Sequence, residues 1–247
     1  VNQRETYSIE TEVPYYFVNF TGDIRLSALV DIMLLTSEKQ LHQADADSTE
    51  MVQNNGLGWV VVQYHMDINQ MPSLGQKLKV MTQATSYNKY FLYRDFWVED
   101  MDGNVMVSAK SAFVLIDIKE RKIVSATDRL DNKFGADEIN RIQRFNRIKL
   151  PDDYDYSQKQ HIGYYNIDVN KHVNNSYYFD WMVDTLDTDF IASHQLKSLD
   201  IKYEKELNLD SKPVAFAKVD NTNNKSIHWI KNGDVLNVSA QFEWKDK

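Results

Sequence analysis

Leu26-Ser27-Ala28-Leu29-Val30-Asp31-Ile32-Met33-Leu34-Leu35 is a helical stretch set among strands, and that contrast decides the fold. Leu26, Leu29, Val30, Met33, Leu34 and Leu41 recur at the spacing of one helix face. Asp23, just after the turn residue Gly22, is the expected N-cap. The helix is expected to have ended by Asp45-Ala46-Asp47-Ser48. Upstream, residues 4–13 partly alternate and read as a strand. Downstream, residues 58–68, 76–85, 90–99 and 105–117 read as strands, the last after the hairpin turn Asp102-Gly103-Asn104. The order is strand, helix, four strands.

The second half of the chain repeats that order. Residues 161–166 form a short strand candidate. Val173, Tyr177, Trp181 and Met182 begin a helical stripe running to about Leu186. Strands are expected at 198–206, 213–219, 226–231 and 235–244, with Asn232-Gly233-Asp234 echoing the earlier turn. Internal duplication is the simplest source of two such halves. The expected division is an N-terminal domain over 1–128, a linker over 129–156 with helical content near 137–148, and a C-terminal domain over 157–247. One long helix with an antiparallel sheet, twice over, is an α+β architecture.

Composition narrows the function. The chain has 247 residues and no cysteine, which removes disulfides, thiolate metal sites and a cysteine nucleophile together. No apolar run approaches the length of a membrane span. The first residues, Val1-Asn2-Gln3-Arg4-Glu5, lack a signal-like apolar stretch, so the expected location is cytoplasmic. A net charge of −8 argues against non-specific binding to nucleic acid or anionic membrane. Basic residues do gather between 119 and 149, among them Arg121, Lys122, Arg129, Arg141, Arg144 and Arg147. No His-x-x-x-His pair, nucleophile elbow or glycine-rich phosphate loop is present, and neither metal nor cofactor is expected.

The chemical candidate is Asp168-Val169-Asn170-Lys171-His172-Val173-Asn174-Asn175. In an extended segment Asp168, Asn170 and His172 share one face and could meet in one cavity. From spacing alone the other reading is a polar loop whose Asn174 or Asn175 caps the helix behind it. Glu204, in Tyr203-Glu204-Lys205-Glu206, is a further candidate; on an edge strand such a glutamate is commonly just solvated.

Asn170-Lys171-His172-Val173-Asn174-Asn175-Ser176-Tyr177-Tyr178-Phe179-Asp180-Trp181 resembles the signature of acyl-acyl-carrier-protein thioesterases. Trp59-Val60-Val61, Arg94-Asp95-Phe96-Trp97 and Leu199-Asp200…Glu204 extend the resemblance over nearly the whole chain. The resemblance implies a tandem pair of hotdog domains, each a long helix wrapped by an antiparallel sheet. It implies an active site of Asp168, Asn170, His172 and Glu204, with Thr21, Asp23 and Arg25 at the matching places of a non-catalytic first half. The activity implied is hydrolysis of fatty acyl thioesters on acyl carrier protein. An acyl-CoA thioesterase and a non-catalytic acyl-binding module are the competing readings. Plant members carry a cysteine just after the glutamate. Lys205 stands at that position in this chain, so attack falls to water or a carboxylate. The first half should hold the acyl chain, through Met33, Met51, Trp59 and Met81. Asn174 and Asn175 would face the substrate at the helix start. The tandem arrangement suits a monomer or a homodimer.

Overall fold

The computed structural model describes residues 4–44, 51, 55–127 and 134–247 of the chain. The first half contains β1 (Thr6–Glu12), α1 (Leu26–His42), β2 (Leu57–Ile68), β3 (Lys77–Tyr87), β4 (Phe91–Glu99), β5 (Val105–Asp117) and the short β6 (Lys122–Val124). A two-residue strand, β7 (Asp137–Glu138), comes next. The second half contains β8 (Tyr156–Lys159), α2 (Tyr177–Asp184), α3 (Thr188–Ser193), β9 (His194–Tyr203), β10 (Val214–Asp220), β11 (Lys225–Asn232) and β12 (Val235–Asp246).

Among the described residues these strands form one sheet ordered β1-β3-β4-β5-β2-β9-β12-β11-β10-β8, with β6 and β7 on side branches. The order is palindromic about the antiparallel β2–β9 seam, where Tyr64 faces Ile201 and Met66 faces Leu199. This is the duplicated α+β architecture that the repeated element order predicts and the tandem hotdog that the resemblance implies.

Alternation along the strands decides which side is core. Leu78, Val80 and Thr82 of β3 are buried, and so are Tyr64 and Met66 of β2 and Leu199 and Ile201 of β9. They pack against α1 and α2, where Leu29, Val30, Met33, Phe179 and Met182 are almost fully buried. Each such side chain contributes about 1.5–3 kcal/mol by leaving water. α1 buries polar Ser27, Thr36, Ser37 and Gln40 as well, because the sheet wraps more than one side of it.

The two helix starts face each other through matching Ser and Asp positions. Ser27 Oγ donates to Asp180 Oδ2 at 2.8 Å. On the other side Ser176, whose Oγ donates to Asn174 Oδ1 at 3.3 Å, faces the Asp31 carboxylate and offsets part of the upward push of burial on it. Ser27 and Ser176, like Asp31 and Asp180, are 149 positions apart, so an approximate dyad runs between α1 and α2.

Several local expectations are corrected. α1 starts after Arg25 with no side-chain cap; Asp23 instead accepts a bond from Thr21 Oγ1 at 3.0 Å. The expected strand at 161–166 is replaced by β8, which pairs with β10, and by a 3-10 turn over Tyr164–Asn166. No helix occurs among the described residues 137–148; Gln143 and Asn146 lie across the sheet, bonded to Ser86 and Asp200. Those side-chain bonds to the sheet outcompete local helix formation. Asp45-Ala46-Asp47-Ser48 lies outside the described residues.

Candidate active site

The segment 166–174 is a tight loop held by its own backbone. Asp168 N–H donates to His172 O at 2.8 Å, and Lys171 N–H to Asp168 O at 3.0 Å. Asp168 Oδ1 accepts the N–H groups of Asn170 (2.8 Å) and His172 (3.2 Å). Lys171 takes a left-handed φ of 65°, which closes the turn. Asp168 therefore shapes the loop that presents Asn170 and His172.

The loop is docked on both halves of the molecule. Val173 N–H donates to Leu207 O at 2.8 Å, joining it to the chain that leaves β9. Asn170 lies over Gly58 of β2, where an added Cβ would stand 3.6 Å from Asn170 Oδ1. Asn170 Oδ1 is buried and meets no hydrogen-bond donor among the described residues, and the same holds for Asn175 Oδ1. Asn174 Oδ1 accepts from Ser176 N–H at 3.2 Å, so Asn174 also serves the helix start. The Asn175 carbonyl accepts from Tyr203 OH at 3.0 Å.

His172 is mostly buried, with 17% of its side chain exposed. Its Nε2 lies 3.1 Å from Arg121 Nη2 and 3.9 Å from Glu206 Oε1. Arg121 and Glu206 are ion-paired with each other. A guanidinium only donates, so the Arg121 contact requires a lone pair on Nε2 and a neutral imidazole carrying its proton on Nδ1. Burial first, and the Arg121 charge second, hold His172 below its ordinary value of 6.5, against an upward pull from Asp168.

The carboxylate brought to His172 is thus Glu206. Glu204 instead pairs with Lys202 at 2.5 Å. The cause is a bulge past the end of β9. The Asn237 carbonyl accepts the N–H groups of both Glu204 (2.8 Å) and Lys205 (3.1 Å). The Asn237 amide donates back to the Lys205 and Glu206 carbonyls. Two residues opposite one break the alternation of the strand and re-aim the side chains beyond the bulge. The residue that fixes these directions, Asn237, is remote in sequence, so the placement of Glu206 beside His172 has no local signal.

The four residues expected to line the acyl pocket are not brought together. Met33 is in the central core, whereas Met51 sits in a small separate cluster with Leu57, Leu115 and Trp59. Met81 lies between inward-facing Val80 and Thr82 and so points to the opposite face of the sheet. The first-half register is also corrected. The loop matching 168–172 begins at Asn19, and Thr21 and Asp23 match Asn170 and His172.

Comparison with known proteins supplies the family. The model of the acyl-ACP thioesterase N-terminal domain matches residues 4–134, and that of the C-terminal domain residues 150–246. The chain belongs to the acyl-ACP thioesterase family. A solved putative oleoyl thioesterase from Lactobacillus plantarum is 32% identical, with a TM-score of 0.92 over 99% of this chain and 98% of that one. The 12:0-ACP thioesterase from Umbellularia californica shares the fold, with a TM-score of 0.83 at 22% identity over 98% of each chain. A chloroplastic dodecanoyl-[acyl-carrier-protein] hydrolase from Cinnamomum camphora is 24% identical over 92% of this chain and 65% of its own length. The chain spans about half to two-thirds of the length of the curated relatives it matches. No helix among its described residues is long and apolar enough to cross a membrane.

Proposed function

We propose that this chain hydrolyses the thioester of fatty acyl carrier protein, releasing free fatty acid and the carrier thiol. The observation that carries the reading is a neutral His172 beside the Glu206 carboxylate, with the buried, unpaired Asn170 carboxamide oxygen in the same loop.

A water held by Asn170 Oδ1 is the nucleophile. Glu206 takes one of its protons as the oxygen adds to the thioester carbonyl. Negative charge on the carbonyl oxygen is met by the N-terminus of α2, where backbone N–H groups and the helix dipole favour an anion. The carbon–sulfur bond then breaks, and His172 relays the proton from Glu206 to the leaving sulfur. Asp168 is the loop's scaffold in this scheme. Its Oδ1 is committed to two backbone N–H groups, which favours attack by water over a covalent acyl-carboxylate. Glu206 rather than Glu204 is taken as the base because it is the carboxylate beside His172; each of the two also carries an ion pair, Glu206 with Arg121 and Glu204 with Lys202.

The first half, 1–128, holds the acyl chain in this reading, 129–156 links it, and 157–247 carries the chemistry, with Asn174 and Asn175 at the substrate's thioester end. Exposed Arg141 and Arg144 are candidate contacts for an acidic carrier. The absence of cysteine suits the reducing cytoplasm. One chain supplies both halves, so a monomer suffices and a homodimer is compatible.

Matched acyl-carrier and acyl-CoA substrates over a series of chain lengths test the assignment. Faster release from the carrier is expected. Faster release from CoA would make this an acyl-CoA thioesterase, and binding without turnover would make it an acyl-binding module.

A further inference from the structure

The hydrolytic loop belongs to the second half, yet the cation that touches it comes from the first. Arg121 sits at the tip of the β5–β6 hairpin in a left-handed conformation, φ 55°. The tip is closed by Arg121 N–H donating to Asp117 O at 2.7 Å and Glu120 N–H to Asp117 Oδ1 at 2.8 Å. That conformation is uncommon for a residue with a branched or long side chain and is sustained here by the turn around it. From the tip the guanidinium reaches across the seam and contacts both His172 Nε2 and the Glu206 carboxylate.

We propose that Arg121 is a positioning residue of the site: it fixes the Glu206 carboxylate against His172, so that the hydrolytic centre requires both halves of the duplication. This rests on the thioesterase reading above. The planar guanidinium has donors enough to serve the imidazole lone pair and a carboxylate oxygen at once. Glu206 comes after a bulge rather than within a regular strand, and 43% of its side chain is exposed. Without Arg121 it has other rotamers open to it, and displacement of a catalytic group by about 1 Å can cost a hundredfold in rate.

The same contact sets the charge around His172. The groups facing the imidazole are Arg121 from the hairpin, Glu206 from the chain after β9 and Asp168 from its own loop. Removing the cation leaves two carboxylates and raises the imidazole's affinity for a proton. An enzyme that needs neutral His172 then loses activity from the acid side first.

Arg121→Gln and Arg121→Lys are the variants, read by NMR titration of the His172 ring and by steady-state kinetics on an acyl-carrier substrate. The His172 resonance is identified by its loss in His172→Gln, and unchanged thermal unfolding controls for folding. In Arg121→Gln the His172 midpoint is expected to rise by about half a pH unit or more. The acid limb of kcat should move up with it, and kcat should fall about 10- to 100-fold with KM little changed. Arg121→Lys keeps the charge without the fork and should lie between. An unmoved His172 midpoint, or an unchanged kcat, overturns the proposal. If the unaltered chain hydrolyses no acyl thioester, the thioesterase reading fails instead, and the titration alone still decides whether Arg121 holds the pair.

Discussion

In the first half the Asn19 carboxamide accepts the backbone N–H groups of Thr21 and Asp23; in the second the Asp168 carboxylate accepts those of Asn170 and His172. The parallel continues outward. Val18 bridges Ile24 as Ile167 bridges Val173. Gly22 and Lys171 hold the left-handed corner of each loop. Ile24 N–H reaches Pro72 O at 2.8 Å, and Val173 N–H reaches Leu207 O at the same distance. Even the bulge is duplicated: Met106 O accepts from Asn69 and Gln70 as Asn237 O accepts from Glu204 and Lys205. The comparison places Met71 where the second half has Glu206, Asp23 where it has His172, and Thr21 where it has Asn170. The scaffold is a backbone hydrogen-bond pattern that survives duplication; the proposed chemistry rests on three side chains that one copy lacks.

Breaking the comparison at those side chains should have the largest effect. His172→Ala and Asn170→Ala should each lower kcat by about 10²–10⁴. Asp23→Ala and Thr21→Ala, the same surgery on the other loop, should leave kcat unchanged. Loss of activity in the first-half variants at unchanged stability would mean that the first loop takes part in turnover.

The pH profile sharpens the contrast in charge. His172 is held below 6.5, so its neutral, working form persists as pH falls through that value. The acid limb of kcat should therefore lie below pH 6.5. His65 at the seam behaves oppositely, raised chiefly by its hydrogen bond to Asp200. A raised group stabilises the fold fully below its unfolded-state value and loses that contribution as pH rises through its folded-state value. The stability lost in His65→Gln should accordingly shrink as the pH is raised above 6.5, measured by urea unfolding.

The symmetric helix contacts predict matched, moderate effects. Ser27→Ala should cost about 1–3 kcal/mol, because it removes a donor from a partly buried carboxylate. Ser176→Ala, beside Asp31 and bonded to Asn174, should cost a similar amount. Denaturant unfolding that finds one costly and the other free would break the dyad as an energetic statement. The smallest effect is expected at the loop corner. Lys171→Gly should stabilise by roughly 0.5–1 kcal/mol, because a side chain in the left-handed region costs about 1–2 kcal/mol and glycine gives part of that back in entropy. Its twin already carries glycine.

The fold was legible in the sequence because helix and strand periods differ and the order occurs twice. α1 and the strands from β2 to β5 match the apolar periods closely. The linker and β8 were not legible, since their partners are remote: Gln143 bonds Ser86, and β8 borrows its ladder from β10. At the candidate site, the extended segment expected over 168–172 is instead a tight turn, with Lys171 left-handed and Asp168 bonded to the loop's own backbone, because those local bonds outcompete an extended conformation. The proposed base, Glu206, has no local signal, because Glu204 and Glu206 have the same parity and only the bulge at Asn237 separates their directions. Side-chain direction also separates the residues expected around the acyl chain. Met81 is apolar, but its neighbours Val80 and Thr82 take the inward positions.

Turnover of Glu206→Gln against Glu204→Gln, each shown to be folded, tests the central claim most directly. The expected result is a fall in kcat of about 10²–10⁴ for Glu206→Gln and near-unaltered turnover for Glu204→Gln. Full activity in Glu206→Gln, with the loss falling on Glu204→Gln, would contradict it.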